Sequence, residues 1–247
     1  MTQEDRFLSA RMAVLGCDGE RAGIGTLGEK ALHAILKHYL DPDASHHEQK
    51  FKGFYADVRN DDGFFEIQTR AFERLLRKLD VFLTESVTTV VYPIARHRRL
   101  TWIDPKTLEL SPKRKSPKVG KLADVARELY RIRKYLLHPG FRLRVILLDC
   151  DEYKKRTAKG YHAERCERIP YALVDDLTFS SPSDYARLLP EGLKETFTSA
   201  DLARALKIPR DTAGTLLLLL TDLEIVRRIG RQGRSYLYEI PKKEPTV

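Results

Sequence analysis

The sequence predicts an α/β protein with a mixed central sheet, followed by a small C-terminal domain. Three observations carry this. Helix-period and strand-period segments alternate over residues 4–148 in the order helix, hairpin, helix, strand, hairpin, helix, strand. Two of the strands, Val87–Ile94 and Arg142–Leu148, are near-continuous apolar runs, the pattern of strands covered on both faces. Beyond residue 182 the pattern changes to two short helices and a basic hairpin.

Each element has a local reason. Residues 4–15 read as a short helix, and Gly16 to Gly25 as a glycine-rich loop. Leu27–Leu40 sets Leu27, Ala31, Ala34, Ile35 and Leu36 at helical spacing and stops before Asp41-Pro42. Lys50–Val58 and Phe64–Thr69 are strand-like runs around Asn60-Asp61-Asp62-Gly63, a hairpin signal. Phe72–Phe82 carries Leu75, Leu76, Leu79 and Phe82 on one helical face, and Leu122–Leu137 is the next helix. Residues 151–182 read as charged and irregular. The expected domains are 1–182, with a core over about 20–150, and 183–247.

Composition narrows the class. With 42% hydrophobic residues the chain can build a core, so it is not a disordered protein. The longest apolar run, Leu216–Leu220, is far too short to cross a bilayer. The N-terminal residues are charged on both sides of their few apolar positions, unlike a signal peptide. Cys17, Cys150 and Cys166 show no CxxC spacing, which argues against a disulfide scaffold or a cysteine zinc site. A reduced, cytoplasmic protein with no membrane partner is the expectation.

The formal net charge of +9 is unevenly spread. Residues 1–94 carry 12 basic and 15 acidic residues, whereas residues 95–121 carry nine basic and two acidic. Such a patch is the footprint of a polyanion binder, because each cation that neutralises a phosphate releases a counterion. Trp102, Ile103, Leu108 and Leu110 interleave with the charges, and Asp104-Pro105-Lys106-Thr107 is a turn signal. We therefore expect a basic β-hairpin with a Pro-bounded tail, Pro112–Pro117, in which Arg98, Arg99, Lys113, Arg114, Lys115 and Lys118 contact DNA.

Two carboxylates frame the first hairpin. If Asp61-Asp62 is its loop, paired residues sum to 123 and Asp57 lies opposite Glu66; if Asp62-Gly63 is the loop, Asp57 faces Gln68. Either register puts Asp57, Glu66 and Gln68 on one face. Two buried carboxylates this close need a cation or a raised pKa, and a hard divalent ion such as Mg²⁺ or Mn²⁺ takes oxygen ligands.

The series Glu29, Asp57 and Glu66-Ile67-Gln68, with the helix and strand that follow, resembles the PD-(D/E)XK (restriction-endonuclease-like) superfamily and its αβββαβ core. The resemblance implies Asp57, Glu66 and the Ile67 carbonyl as metal ligands, with Glu29 completing the outer shell. Glu29 has a competing role in a Thr26–Glu29 capping box. His33 lies one turn later on that helix face. The family's usual Lys is here Gln68, which can orient a water but not offset charge; Arg70, on the same face if the strand continues, would supply that charge. Two other motifs are set aside. The GxGxxG at Gly23–Gly28 lacks a preceding strand and a βαβ unit, and His46-His47-Glu48 reads as loop or strand edge.

Residues 183–241 resemble a winged helix-turn-helix domain. Thr198 or Ser199 caps a helix, Lys207-Ile208-Pro209 turns the chain, Arg210–Leu223 forms a second helix, and a hairpin surrounds Gly230–Arg234. The resemblance implies DNA contacts by Arg210, Thr212 and Thr215 on the helix and by Arg227, Arg228, Arg231 and Arg234 in the wing. Leu219 shares a face with Thr212, Thr215 and Asp222 and is expected to point outward, which allows packing on the first domain or a homodimer. The leading expectation is a metal-dependent DNA endonuclease. The alternatives are a non-catalytic DNA-binding or regulatory protein on a degenerate nuclease fold, and an assembly subunit.

Overall fold

Alternating helix and strand periods produce, in the computed structural model, a mixed α/β protein whose described residues are 1–16, 31–156 and 163–241. The glycine-rich loop after Gly16, the GxGxxG run, the Thr26–Glu29 box, Cys17 and Glu29 itself lie outside the described residues. The elements are α1 (Gln3–Leu15), α2 (Ala31–Leu40), β1 (His47–Phe51), β2 (Phe54–Asn60), β3 (Gly63–Ile67), α3 (Leu76–Phe82) and β4 (Thr88–Ile103). They continue as β5 (Arg114–Lys115), α4 (Ala126–Arg131), β6 (Phe141–Arg156), β7 (Ala163–Phe179), β8 (Thr196–Thr198), α5 (Ser199–Leu206), α6 (Arg210–Asp222), β9 (Arg227–Gln232) and β10 (Ser235–Glu239).

The chain forms two compact units. One comprises Met1–Thr69, Thr89–Lys121 and Arg144–Leu177; the other comprises Arg70–Thr88, Leu122–Leu143 and Thr178–Val247. The second unit takes Arg70–Thr88 and Leu122–Leu143 from within the span 1–182 expected as one domain.

In the first unit the sheet order is β1-β2-β3-β4-β6-β7, with β5 pairing to β4. Partners on β4 and β6 keep a constant offset of 52 (His97 with Asp149, Arg99 with Asp151), the offset also of Thr88 and Gly140, which immediately precedes β6, so these strands run parallel. Partners on β6 and β7 keep a constant sum instead (Arg144 with Asp176, Glu152 with Arg168), so these run antiparallel, and the sheet is mixed. Phe7, Ile35, Leu36 and Tyr39 from the two helices pack on Val58, Phe65, Ile67, Val91, Ile146 and Leu148 to make the core. Thr2 caps α1 in a reciprocal box with Asp5.

Three expectations need correction here. The run Lys50–Val58 is not one strand, because Lys52 and Gly53 adopt positive φ (44° and 86°) and turn β1 into β2. Val87–Ile94 and the first arm of the basic hairpin are a single strand, β4. Within residues 151–182, read as irregular, β7 extends over 163–179 at the sheet edge. Its charged residues pair across the ladder with β6, which hid the strand behind a charged composition.

In the second unit β8, β10 and β9 form a small sheet beside α5 and α6. Thr198, not Ser199, is the N-cap of α5, in a capping box with Asp201. Lys207 takes the left-handed conformation that turns the chain (φ 53°). The expected helix Leu122–Leu137 is broken, with only Ala126–Arg131 α-helical between short 3-10 turns. It packs against α6, where Arg127 pairs with Asp211 and Arg133 approaches Asp222 at 3.7 Å. Leu219 is consequently buried (1% exposed) rather than outward, and Leu218 (43%) is the leucine of the run that faces out.

Candidate functional site

The β2–β3 hairpin fixes the carboxylates. Its pairs are Asn60 with Gly63, Arg59 with Phe64 and Val58 with Phe65, so Asp61-Asp62 is the loop and the sum is 123. Beyond Val58 the backbone ladder gives way to a side-chain bond: the Ile67 N–H donates to Asp57 Oδ2 at 2.6 Å. The other Asp57 oxygen, Oδ1, lies 3.0 Å from His33 Nε2 on α2. Glu66, the next residue along from the Phe65 pair, is buried at 3% exposure. Val58, Phe65 and Ile67 pack in the core formed with α2, so strand alternation assigns Glu66 to the other side of the sheet, whereas the His33 contact draws Asp57 towards α2.

The remaining predicted members lie beyond the end of β3. Gln68 is past the end of β3, and its N–H donates to the Val91 carbonyl at 2.9 Å, tying it to β4. Thr69 and Arg70 form a bend, so the alternation needed to carry Arg70 to the face of Glu66 stops at Ile67. Among the described residues no group of three or more His, Cys, Asp or Glu side chains is arranged to hold a metal. Asp57, Glu66 and the Ile67 carbonyl are oxygen donors, the chemistry a hard cation requires.

The basic segment is an extended strip on β4. Arg99 pairs with Lys115 and Leu100 with Arg114, Ile103 bridges to Leu110, and the Gly120 N–H donates to the Arg96 carbonyl. The expected hairpin is present, and its tail continues along the same strand. Two acids behind it escaped the sequence reading. Asp151 receives Arg99 in a two-pronged contact (Nε to Oδ1 2.6 Å, Nη2 to Oδ2 2.9 Å) and Lys113 Nζ at 3.1 Å. Asp149 Oδ1 lies 2.9 Å from His97 Nδ1. The signal was the spacing Asp149-Cys150-Asp151, which puts both acids on one strand face. The Arg99 guanidinium also lies 3.8 Å from the Tyr171 ring centre. Arg98 Nη2 donates to the Lys118 carbonyl at 3.0 Å. Arg114, Lys115 and Lys118 are exposed and form no ion pair among the described residues.

In the second unit Arg210 Nη2 donates to Ser235 Oγ at 2.8 Å, and the Thr215 hydroxyl donates to the Asp211 carbonyl at 3.0 Å. Thr212 is 6% exposed on the helix whose Asp211 pairs with Arg127 of α4 and whose Asp222 approaches Arg133, so it is not presented to a DNA groove as expected. β9 is exposed along its length. Arg228 and Arg231 lie 3.9 and 4.8 Å from the Tyr236 ring centre, Arg227 pairs with Glu239, and Arg234 sits in the two-residue turn. The hydrogen bond from Arg231, with the charge of both arginines, lowers the Tyr236 pKa.

No described helix is long and apolar enough to cross a membrane. No solved structure matches the chain. A protein of Treponema pallidum (strain Nichols), itself described as uncharacterized, is 30% identical over 233 residues, covering 90% of this chain and 88% of its own length. A family model described as "Domain of unknown function (DUF8091)" matches residues 30–180, which include both hairpin carboxylates and the whole basic strip. With well over half its length matched, the chain belongs to the DUF8091 family.

Proposed function

We propose that the protein is a metal-dependent DNA endonuclease of PD-(D/E)XK type, with a winged-helix module at its C-terminal end. The observation that carries the reading is the hairpin register. The observed pairs sum to 123, the register that would bring Asp57 towards Glu66 if continued, and the Asp57 side chain reaches the Ile67 N–H. The hairpin thus supports a reading in which Asp57, Glu66 and the Ile67 carbonyl act together. Mg²⁺ or Mn²⁺ bound there would lower the pKa of a water and stabilise charge on the phosphate. Asp57, Glu66 and the Ile67 carbonyl would hold the ion, and Gln68 would orient the water. The exposed Arg114, Lys115 and Lys118 supply counter-charge for a DNA backbone, and the wing arginines supply more.

A second reading, a DNA-binding protein without catalysis, is favoured by a specific feature. Both Asp57 oxygens have hydrogen-bonding neighbours of their own, Ile67 N–H and His33, and Gln68 stands where the family has Lys. The test is cleavage of single-stranded, duplex and branched DNA with Mg²⁺, with Mn²⁺ and with chelator. The nuclease reading expects metal-dependent cutting by the wild type and none by Asp57→Ala or Glu66→Ala, both of which still bind DNA. No cutting by the wild type under any of these conditions transfers the assignment to the binding protein.

A further inference from the structure

A cleft of about 290 Å³ lies in the first unit between the basic strip and β6–β7, away from the hairpin carboxylates. Arg98, Arg99, Lys113 and Lys115 line it against one acid, Asp149, so its wall is strongly cationic. His97 and Tyr171 complete it.

The cations of this wall are held in place. Asp151 is nearly buried behind them and takes the Nε and Nη2 edge of Arg99 and the ammonium of Lys113. Tyr171 stacks on the guanidinium from the side. Arg99 therefore cannot swing away, yet its Nη1 donors are not used by Asp151 and remain for a second oxyanion. Lys113 likewise has donors beyond the one it gives Asp151. His97 is oriented by Asp149 through both its backbone N–H (3.1 Å) and Nδ1 (2.9 Å), leaving Nε2 without a partner among the described residues. An oxyanion entering the cleft meets donors whose ordering cost is already met by the protein's own acids. Planar guanidinium and ammonium donors around a small volume suit the tetrahedral, multiply charged oxygens of a phosphoryl group.

We propose that this cleft is a binding site for a phosphoryl group, with Arg99 as its anchor, Lys113 and Lys115 as charge partners, and Asp151 as the clamp that fixes the anchor. The proposal does not depend on metal binding at Asp57 and Glu66, and either can fail without the other. The phosphoryl group has two possible sources, a free phosphate compound or the end of a nucleic-acid strand.

The experiment is calorimetric titration of the full chain, in chelator, with three probes: inorganic pyrophosphate, and a short oligodeoxynucleotide carrying either a 5′-phosphate or a 5′-hydroxyl. Binding of pyrophosphate, or tighter binding of the 5′-phosphorylated strand than of its hydroxyl twin, is expected, and the preferred probe identifies the source. Arg99→Gln should weaken that binding by about tenfold or more, as loss of a charge-assisted hydrogen bond does. Lys115→Gln should weaken it as well, and its exposed side chain keeps the fold out of question. Lys106→Gln removes the same charge from the exposed hairpin turn outside the cleft and should change the affinity little. No binding of pyrophosphate together with equal binding of the two strands overturns the site. So does equal weakening by Lys115→Gln and Lys106→Gln, which would mean a diffuse basic surface.

Discussion

Asp57 Oδ2 accepts the Ile67 N–H at 2.6 Å, at the point where the β2–β3 backbone ladder ends after Val58 and Phe65. A carboxylate thus stands in for a backbone acceptor within a buried strand. Asp57→Ala should remove that acceptor and cost about 1–3 kcal/mol of stability, the range for leaving a buried donor unsatisfied. Asp57→Asn keeps an oxygen at the position and should cost less. Urea denaturation of the two variants checks this independently of any activity. Equal midpoints for wild type and Asp57→Ala would show that the Ile67 N–H finds another acceptor.

The leucine run gives a second prediction with an internal control. Leu219 is 1% exposed and Leu218 is 43% exposed, although they are adjacent and chemically identical. Leu219→Ala should cost about 2–5 kcal/mol through lost burial and the cavity left in its place. Leu218→Ala should stay within about 0.5 kcal/mol, as surface substitutions do. Comparable losses for the two would place Leu218 in an interface, for example a homodimer.

How much of this was legible in the sequence differs by element. The hairpin at Asn60–Gly63 was readable because a two-residue turn and period-2 alternation leave few registers open, and the structure selects one of the two weighed. The basic hairpin was readable from its turn signal and interleaved apolar residues. β7 was not, since its charges satisfy each other across a strand pair some distance away in sequence, and composition alone resembles a loop. Leu219 was assigned outward by reading α6 as an isolated two-faced helix. Its covered side comes from α4, a segment about 90 residues earlier that no local pattern connects to it. The acid clamp behind Arg99 was missed for the same reason: Asp151 meets it across a parallel pair with an offset of 52.

His46 and Asp41 give a pH prediction. The hydrogen bond to Asp41 Oδ2 (2.8 Å) raises the His46 pKa above its ordinary 6.5. A raised folded-state value means the pair's stabilisation is complete below about the unfolded imidazole value and is lost as pH rises through the folded one. Burial pushes the Asp41 pKa up, but hydrogen bonds from Asn60, His46 and the Asp43 N–H outweigh it and leave the value below 3.8. Its contribution is therefore present above pH 3.8 and is lost as pH falls through that depressed value. The local contribution is greatest between the two, in mildly acidic solution. NMR titration of the His46 ring should give a midpoint above 6.5 that moves down in Asp41→Asn. An unchanged midpoint in the variant would remove the pair as its cause.

The last prediction concerns Asp176, whose side chain is 1% exposed. It accepts from Arg144 through both oxygens (2.8 and 2.6 Å) and from the Tyr39 hydroxyl at 2.6 Å. Burial raises the Tyr39 pKa, and the hydrogen bond to this carboxylate raises it further, so the phenol stays protonated as a donor. Asp176→Ala would leave the Arg144 guanidinium, largely buried itself, without its counter-charge, and should cost about 3–5 kcal/mol. Tyr39→Phe removes one donor while Arg144 still satisfies the acid, and should cost about 1 kcal/mol. The pair is not required for stability as such, since an apolar replacement of both partners can pack equally well. Arg144→Met combined with Asp176→Leu should therefore recover much of what Asp176→Ala loses. Thermal unfolding of the three variants orders them: Asp176→Ala lowest, the double replacement intermediate, and Tyr39→Phe nearest the wild type. A double replacement as unstable as Asp176→Ala would show that the site needs the charges themselves, and not merely the absence of an unpaired one.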